Sequence, residues 1–279
     1  MYPAERRQAL MKLINERGFV SISDLAERLD VSEITIRRDL NYLEREGLVE
    51  KVAGGGRMPK STMEPAFLNK RILQQTEKSA IAQAALQRIE PGMTLGLSAG
   101  TTTWALAQQV KPGAPNLDHL TFVTNSTNIA TVLQANGWSD ILLLGGQFRT
   151  PSDALIGPLA EENARRLHTD LLFLGVHGAD LAYGLTTPNL QEAAINRVMM
   201  EQTESVVAVF DHTKWGIRAL AHLAHFEEVD VVITNINQAR DELSDADPSQ
   251  SEISKSAELR ATVDELRKLG PEVVIAQVD

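Results

Sequence analysis

Apolar positions fall into two regimes along the chain. Up to residue 57 they recur at three- and four-residue spacing in short runs; beyond residue 76, apolar runs of strand length alternate with helical stripes. In the first regime Leu10, Leu13 and Ile14 line the inner side of one helix. Ser21-Ile22-Ser23-Asp24 has the form of a capping box and opens a short helix through Leu25, Ala26 and Leu29. After a turn at Asp30-Val31, Ser32 can cap a third helix, because its hydroxyl accepts one of the unpaired first-turn N–H groups. Ile36, Leu40 and Leu43 form that helix's inner stripe, and Gly47 ends it. Leu48 to Val52 reads as a short strand and Gly54-Gly55-Gly56 as a tight turn. Three helices and a hairpin predict a winged helix-turn-helix over residues 1–57.

Residues 58–75 read as a linker, since Pro59 and Pro65 each disfavour helix in the residue before them. From there helices are predicted over residues 77–88, 102–110 and 129–135, and strands over 93–97, 120–124, 141–144, 171–176, 206–210 and 229–234. The acidic, Ser-rich stretch 241–252 predicts a mobile loop. Residues 259–268 and 273–276 add a helix and a strand. Alternating apolar strands and helices imply a fold of the α/β class, with a doubly covered, mostly parallel sheet over residues 76–279. There is no internal repeat.

Two groups of residues carry candidate chemistry. On the third helix Ile34, Arg38, Asn41 and Arg45 lie opposite the apolar stripe, with Thr35 and Arg37 on its flanks. A short helix with that outer face, preceded by another, can enter a DNA major groove, where Arg bonds phosphates or a guanine edge. With Lys51 and Arg57 from the hairpin and Ser32 at the cap, these are the candidate DNA contacts. The same pattern also describes an ordinary amphipathic surface helix with solvated charges. The second group lies at strand ends, where ligands of parallel sheets bind. Ser98-Ala99-Gly100-Thr101-Thr102-Thr103 joins a buried strand to a helix, and glycine, helix N-terminus and Thr hydroxyls together suit an anion. Its alternative is a plain turn with Thr caps. Thr124-Asn125-Ser126, Gly145-Gly146-Gln147, Gly175-Val176-His177-Gly178 and Asp211-His212-Thr213-Lys214 occupy comparable positions. Four more such loops could converge with the first on one phosphorylated ligand. Lys214 would supply a point charge, or stand as a solvated surface lysine.

Charge sharpens this division. Residues 1–57 carry equal numbers of basic and acidic side chains, so the whole formal charge of −10 belongs to the remainder. An acidic body is a poor non-specific partner for nucleic acid. A local basic face made of Arg37, Arg38, Arg45, Lys51, Arg57 and Lys60 would therefore bind in a strongly salt- and site-dependent way. The absence of cysteine excludes disulfides, thiol nucleophiles and thiolate-held metals. No apolar run approaches the ~18 residues of a membrane span. With Glu5, Arg6, Arg7 and Gln8 near the start and no apolar signal core, no export signal is expected, and the cytoplasm is the default compartment.

The first 60 residues resemble the N-terminal domain of DeoR-family transcriptional repressors. The matching residues are Ser32-x-x-Thr35-Ile36-Arg37-Arg38-Asp39-Leu40, Leu43, Gly47-Leu48 and the paired wing glycines; Ala53 stands where the family usually has His. The linker spacing Glu64-x-x-Phe67-x-x-Lys70-Arg71 is also similar. Over residues 76–236 the ordered pieces resemble the family's effector domain, of the ribose-5-phosphate isomerase and CoA-transferase type of fold. They are Glu77-Lys78, Gly100-Thr101-Thr102, Thr124-Asn125, Gly145-Gly146, Leu155-Ile156-Gly157, Asp170 with Phe173-Leu174-Gly175, Gly184-Leu185-Thr186, Glu192-Ala193 and Asp211-x-x-Lys214. Ser98 and Asn235 stand where many members carry Asp. The resemblance implies a phosphorylated sugar or polyol effector that changes affinity for operator DNA, with Ser98, Gly100, Thr101, Thr102, Asn125, Gly145, Gly146, His177 and Lys214 as effector contacts.

An enzymatic reading rests on His177-Gly178-Ala179-Asp180, which is similar to the Asp-Gly-Ala-Asp segment of ribose-5-phosphate isomerases but lacks its first carboxylate. Proton shuttling between sugar carbons needs such a base. Glu192 is available as the nucleophile of a CoA-transferase, without other support. His222 and His225, spaced i, i+3 on a possible helix, have no third ligand beside them. No catalytic group, metal or cofactor is therefore expected. Trp104, Trp138, Trp215 and Met199-Met200 read as packing residues. The expected protein is a cytoplasmic repressor of a carbohydrate operon, a homodimer or homotetramer, released from operator DNA by a sugar phosphate. The alternatives are an isomerase-like enzyme with a DNA-binding appendage and an activator built of the same parts.

Overall fold

The computed structural model describes residues 2–45, 48–57, 67–70, 73–114, 117–236 and 250–278. They form two compact units, Met1–Gln75 and Thr76–Asp279.

In the first unit α1 (Pro3–Arg17) is followed by β1 (Phe19–Ser21), α2 (Ile22–Arg28), α3 (Glu33–Arg45), β2 (Glu50–Val52), β3 (Gly55–Arg57) and the single-turn α4 (Phe67–Lys70). The Ser21 hydroxyl accepts the Asp24 N–H and caps α2. The stripes read from spacing meet in one core of Leu10, Met11, Ile14, Leu25, Ile36, Leu40 and Leu43, closed by Leu48 and Val49. Two expectations are corrected. The wing is a three-stranded sheet in the order β1-β3-β2 rather than a two-stranded hairpin, because Phe19-Val20-Ser21 pairs with Gly55-Gly56-Arg57. A Cβ on Gly55 would come within 2.2 Å of the Val20 carbonyl, so only glycine lets these strands meet. The linker also contains ordered structure, since α4 is helical and Phe67 is buried. Gly47, residues 58–66 with Lys60 among them, and Arg71 lie outside the described residues.

One contact fixes α3 against α1. Asp39 is 2 % exposed and accepts from Arg6 Nε at 2.6 Å and Arg7 Nε at 2.9 Å. The Arg7 guanidinium also lies 3.7 Å from the centre of the Tyr42 ring. A buried carboxylate needs such partners.

The second unit runs α5 (Gln75–Leu86), β4 (Thr94–Leu97), α6 (Thr101–Gln109), β5 (Thr121–Thr124), α7 (Thr127–Asn136), β6 (Ile141–Leu143), β7 (Gln147–Arg149), β8 (Ala154–Ile156), α8 (Pro158–Ala164), β9 (Thr169–Gly175), β10 (Gly178–Asp180), β11 (Gly184–Thr187), α9 (Leu190–Glu201), β12 (Thr203–Val209), β13 (Ala221–Ala224), β14 (Val231–Asn235), α10 (Gln250–Lys268) and β15 (Glu272–Ala276). Among the described residues, seven strands form one parallel sheet in the order β15-β14-β12-β9-β4-β5-β6. Neighbours along a strand face opposite layers, and both layers are buried. Leu172, Leu174, Val206 and Ala208 enter one core; Leu171, Phe173, Val207 and Val209 enter the other. Double burial is why these strands read as unbroken apolar runs.

The expected sheet thus stands, with two small antiparallel additions that apolar runs do not announce. They are the ribbon β7-β8 and the sheet β10-β11-β13. The expected loop 241–252 lies outside the described residues up to 249, while residues 250–252 are helical. At the amino end of the sheet the Asp170 and Asp230 carboxylates accept the N–H groups of Thr94 and Val206. Trp138 packs edge-on to Phe122, and Trp215 edge-on to Phe210.

Asp39→Asn removes the charge that two guanidiniums share and should destabilise the N-terminal unit by about 3 kcal/mol. Hydrogen exchange of the α1 and α3 amides in the full chain checks this. Exchange as slow as in the unsubstituted chain would show that the Asp39 contact does not hold the helices.

Candidate functional site

The outer face of α3 is built as its spacing requires. Ile36, Leu40 and Leu43 are buried, whereas Ile34 is 66 % exposed and Arg37, Arg38 and Arg45 are exposed. Ser32 Oγ and Thr35 Oγ1 are 2.9 Å apart, and Ser32 also accepts the Thr35 N–H, so both hydroxyls hold the helix start. Arg37 pairs with Glu33 at 3.2 Å on the exposed surface. Such an exposed pair contributes little to stability. Lys51 Nζ donates to Asn41 Oδ1 at 2.6 Å, tying the wing to α3. Arg57 makes two bonds to Glu50, its cross-strand neighbour. Arg38 and Arg45 have no hydrogen bond or ion pair among the described residues.

The second group gathers at the carboxyl edge of the parallel sheet. The Ser98 hydroxyl after β4 accepts the Gly175 N–H at the end of β9, at 2.9 Å. Asn125 Oδ1 after β5 accepts the Ala99 N–H at 2.8 Å, and the Asn125 carbonyl accepts the Leu155 N–H at 2.7 Å. Ser98 and Asn125 are 0 % and 1 % exposed, and their side chains tie neighbouring loops together. Thr103, the third threonine, donates to the Ser98 and Gly100 carbonyls. Gly145 is exposed; Gly146, at φ +138°, lies where a Cβ would meet the Ile156 carbonyl at 2.6 Å. His177 is half-buried, its N–H bonded to the Thr186 carbonyl.

Two helices start at this edge, and they differ. The N-terminus of α7 is already filled by a carboxylate. Buried Asp153 accepts from Ser126 Oγ, Thr127 Oγ1 and the Asn128 N–H at 2.6–2.7 Å. The N-terminus of α6 begins at Gly100 and has no side-chain cap. Its first N–H groups, with Thr101 half-buried beside them, are not met by a side chain in that way.

The β12 loop brings charge. Asp211 is fully buried, and its Oδ1 accepts the Thr213 N–H at 3.0 Å as well as the Thr213 hydroxyl. Burial alone would raise its pKa. The Lys214 and Lys78 ammoniums and the Thr213 bond outweigh burial and hold it down at about 2. Lys214 is therefore partly neutralised by Asp211 rather than a free point charge. Lys78 and Lys214 thus both act on the end of the sheet where β12 finishes. Lys78, 4 % exposed, was not among the expected site residues. Its signal was present: it shares the buried stripe of α5 with Ile81, Ala82 and Ala85, a core position where a lysine is out of place.

The enzymatic alternatives find no support in the geometry. Asp180 is clamped by Arg218 at 2.9 and 3.1 Å and by the Ala182 and Tyr183 N–H groups. The guanidinium holds its carboxyl below the usual range, which disfavours a role as proton shuttle. Glu192 is engaged by Arg149 at 3.2 Å and Thr187 at 3.1 Å. His222 lies on strand β13 and not on a helix; its ring is 4.4 Å from that of His225, and no group of three metal ligands occurs among the described residues.

A winged helix-turn-helix followed by an α/β unit with polar loops gathered at its strand ends defines a ligand-responsive DNA-binding regulator. Residues 6–62 match the DeoR-like helix-turn-helix domain and residues 73–236 the DeoR C-terminal sensor domain. The chain is 37 % identical over 237 residues to the HTH-type transcriptional regulator GlpR of Haloferax volcanii, covering 84 % of this chain and 91 % of the relative. It is 31 % identical to the glycerol-3-phosphate regulon repressor of Escherichia coli K12, covering 84 % and 92 %. The chain belongs to the DeoR family of transcriptional regulators. Relatives that it matches over most of their length are regulators rather than enzymes, and so is this chain. A ribose-5-phosphate isomerase structure in complex with phospho-erythronic acid is similar at a TM-score of 0.39 and 16 % identity, over 51 % of this chain and 54 % of that one. At that level the likeness carries no argument. Among the described residues no helix is long and apolar enough to cross a membrane.

The depressed pKa of Asp211 makes a pH prediction. A folded value of about 2 against an ordinary 3.8 means its stabilisation is complete above about pH 4 and is lost as pH falls through 2. Acid unfolding of Asp211→Asn should be less steep between pH 4 and 2 than that of the unsubstituted chain. Parallel acid-unfolding curves would contradict the charge assignment.

Proposed function

We propose that the protein is a cytoplasmic, sequence-specific repressor of a carbohydrate-related operon, released from its operator by a phosphorylated sugar or polyol. The observation that carries this reading is the contrast between two helix starts at one sheet edge. Asp153 fills the N-terminus of α7, while that of α6 lacks a side-chain cap at the end of the sheet that carries Lys78 and Lys214. An uncapped helix start with nearby cations suits a phosphate. The name of one relative, the glycerol-3-phosphate regulon repressor, supports both the sign of regulation and a phosphorylated polyol.

In this reading the phosphate is held by N–H groups from Gly100 to Thr102, the Thr101 and Thr102 hydroxyls and Lys214. Gly145, Gly146 and His177 border the sugar, and Ser98 and Asn125 set the loops. On DNA, Arg38 reads a base edge, Arg37 and Arg45 contact phosphates, and Asn41, Lys51 and Arg57 place the wing, with Ser32 and Thr35 at the helix start. A homodimer or homotetramer supplies the repeated half-sites that specificity requires. The ligand shifts the protein only by binding its released form more tightly than its DNA-competent form.

The DNA assignment predicts two distinct losses. Arg38→Ala should cost about 1–3 kcal/mol of specific operator binding and relax specificity at one position. Arg37→Ala should weaken binding to all sequences and flatten the salt dependence. Gel-shift titration at two salt concentrations separates them, and unchanged binding in both variants would remove α3 from the groove.

The effector assignment predicts a non-inducible repressor. Lys214→Ala should bind operator as tightly as the unsubstituted chain and resist release by sugar phosphates, and Thr101→Val should behave alike. Operator-release titrations measure both. Release of Lys214→Ala at the same effector concentration would place the phosphate elsewhere. If the effector tightens operator binding by the unsubstituted chain, the protein is not a repressor induced by release.

A further inference from the structure

The end of β14 contains a hydrogen-bond arrangement with a directional consequence. Asn235 is 1 % exposed and is the last residue of this strand, which neighbours β12. Its Oδ1 accepts the His212 N–H at 2.9 Å, and its Nδ2 lies 3.1 Å from His212 Nδ1. The first bond fixes the amide, because the flipped orientation would set an NH2 against an N–H. The second then fixes the imidazole. An amide nitrogen only donates, so Nδ1 must accept, and the ring proton resides on Nε2. His212 is half-buried, and Nε2 has no hydrogen-bond partner among the described residues. The ring belongs to the short loop that carries Asp211 and Lys214.

We propose that Asn235 is a positioning residue that locks His212 in the Nε2–H tautomer, so that the ring offers a hydrogen-bond donor to a hydroxyl oxygen of the effector. This rests on the proposed phosphate site at Lys214. It adds a specificity determinant: the ligand must place an acceptor oxygen, such as a hydroxyl of a sugar or polyol, near the phosphate. A carboxylate at position 235 would reverse the arrangement. One of its oxygens would still accept the His212 N–H, so the loop would keep its anchor, but the other would accept from Nδ1. The proton would move to Nδ1.

The experiment uses the full chain with 15N-labelled histidine, and His212→Gln identifies the His212 signals among the six histidines. Long-range proton–nitrogen spectra should show His212 with Nε2 protonated and Nδ1 bare. In Asn235→Asp, Nδ1 should carry a proton. A bare Nε2 in the unsubstituted chain, or an Asn235→Asp spectrum with Nδ1 still bare, would overturn the lock.

The second readout is the affinity ratio of ribose 5-phosphate to inorganic phosphate, which cancels the effect of the added charge on phosphate binding. Asn235→Asp and His212→Ala should each lower that ratio about tenfold, as expected for one lost hydrogen bond. His212→Gln, whose amide places an N–H near the position of Nε2, should keep the ratio within about threefold of the unsubstituted value, since the bond is kept. A tautomer that reverses without moving the ratio, or a His212→Gln as impaired as His212→Ala, would overturn the donor role. Failure of the underlying site is distinguishable: inorganic phosphate binding that survives Lys214→Ala would remove the phosphate from this edge, whatever the spectra show.

Discussion

Parallel hydrogen bonding across the large sheet is the constraint on which the rest of the sensor unit depends. When all strands run the same way, every crossover must return from one end of the sheet to the other, and every strand ends at the same edge. Five loops of otherwise unrelated sequence are thereby gathered: those after β4, β5, β6, β9 and β12. Their side chains then tie one loop to the next, through Ser98 to Gly175 and Asn125 to Ala99 and Leu155. The opposite edge is occupied by strand-start contacts of Asp170 and Asp230, which serve the fold.

Charge decides what this edge can hold. Asp153 supplies the anion for one helix start from within the chain, while the other has no side-chain cap. Asp211 is buried, and the charges of Lys214 and Lys78 stabilise its ionised form enough to overcome burial. The same carboxylate orients Thr213 and thus shapes the loop of Lys214. The DNA-binding unit uses a buried carboxylate differently. Asp39 spends both oxygens on α1, and the outward Arg38 and Arg45 of α3 have no hydrogen bond or ion pair among the described residues.

Much of this was legible in the sequence because burial leaves a periodic trace. The α3 stripe of Ile36, Leu40 and Leu43, the apolar strands and the Gly-Thr-Thr loop were all placed correctly as elements. The short strands β1, β10 and β13 were not: Phe-Val-Ser is too short to show a period, and Gly-Ala-Asp and Ala-His-Leu-Ala lack a run of strand-forming residues. His222 was read on a helix for the same reason: Ala-His-Leu-Ala fits either state. The ties of Asp39 to Arg6 and Arg7 span more than thirty positions, and spacing says nothing at that range. Ser98 and Asn125 also hold neighbouring loops together, which their place at strand ends does not announce. Such ties depend on hydrogen-bond partners far away in the sequence. Lys78 could have been found, as a charged residue on an apolar stripe.

The central claim is that the sensor edge recognises a phosphate carried by a sugar or polyol. Thermal unfolding of the full chain, measured against a panel of sugar phosphates and the same sugars without phosphate, tests it most directly, because a ligand of the folded state raises apparent stability by mass action. At least one phosphorylated member should raise the unfolding temperature in proportion to the logarithm of its concentration, its unphosphorylated counterpart should not, and Lys214→Ala should abolish the shift. An equal shift from the unphosphorylated sugar, or one that persists in Lys214→Ala, would contradict the claim.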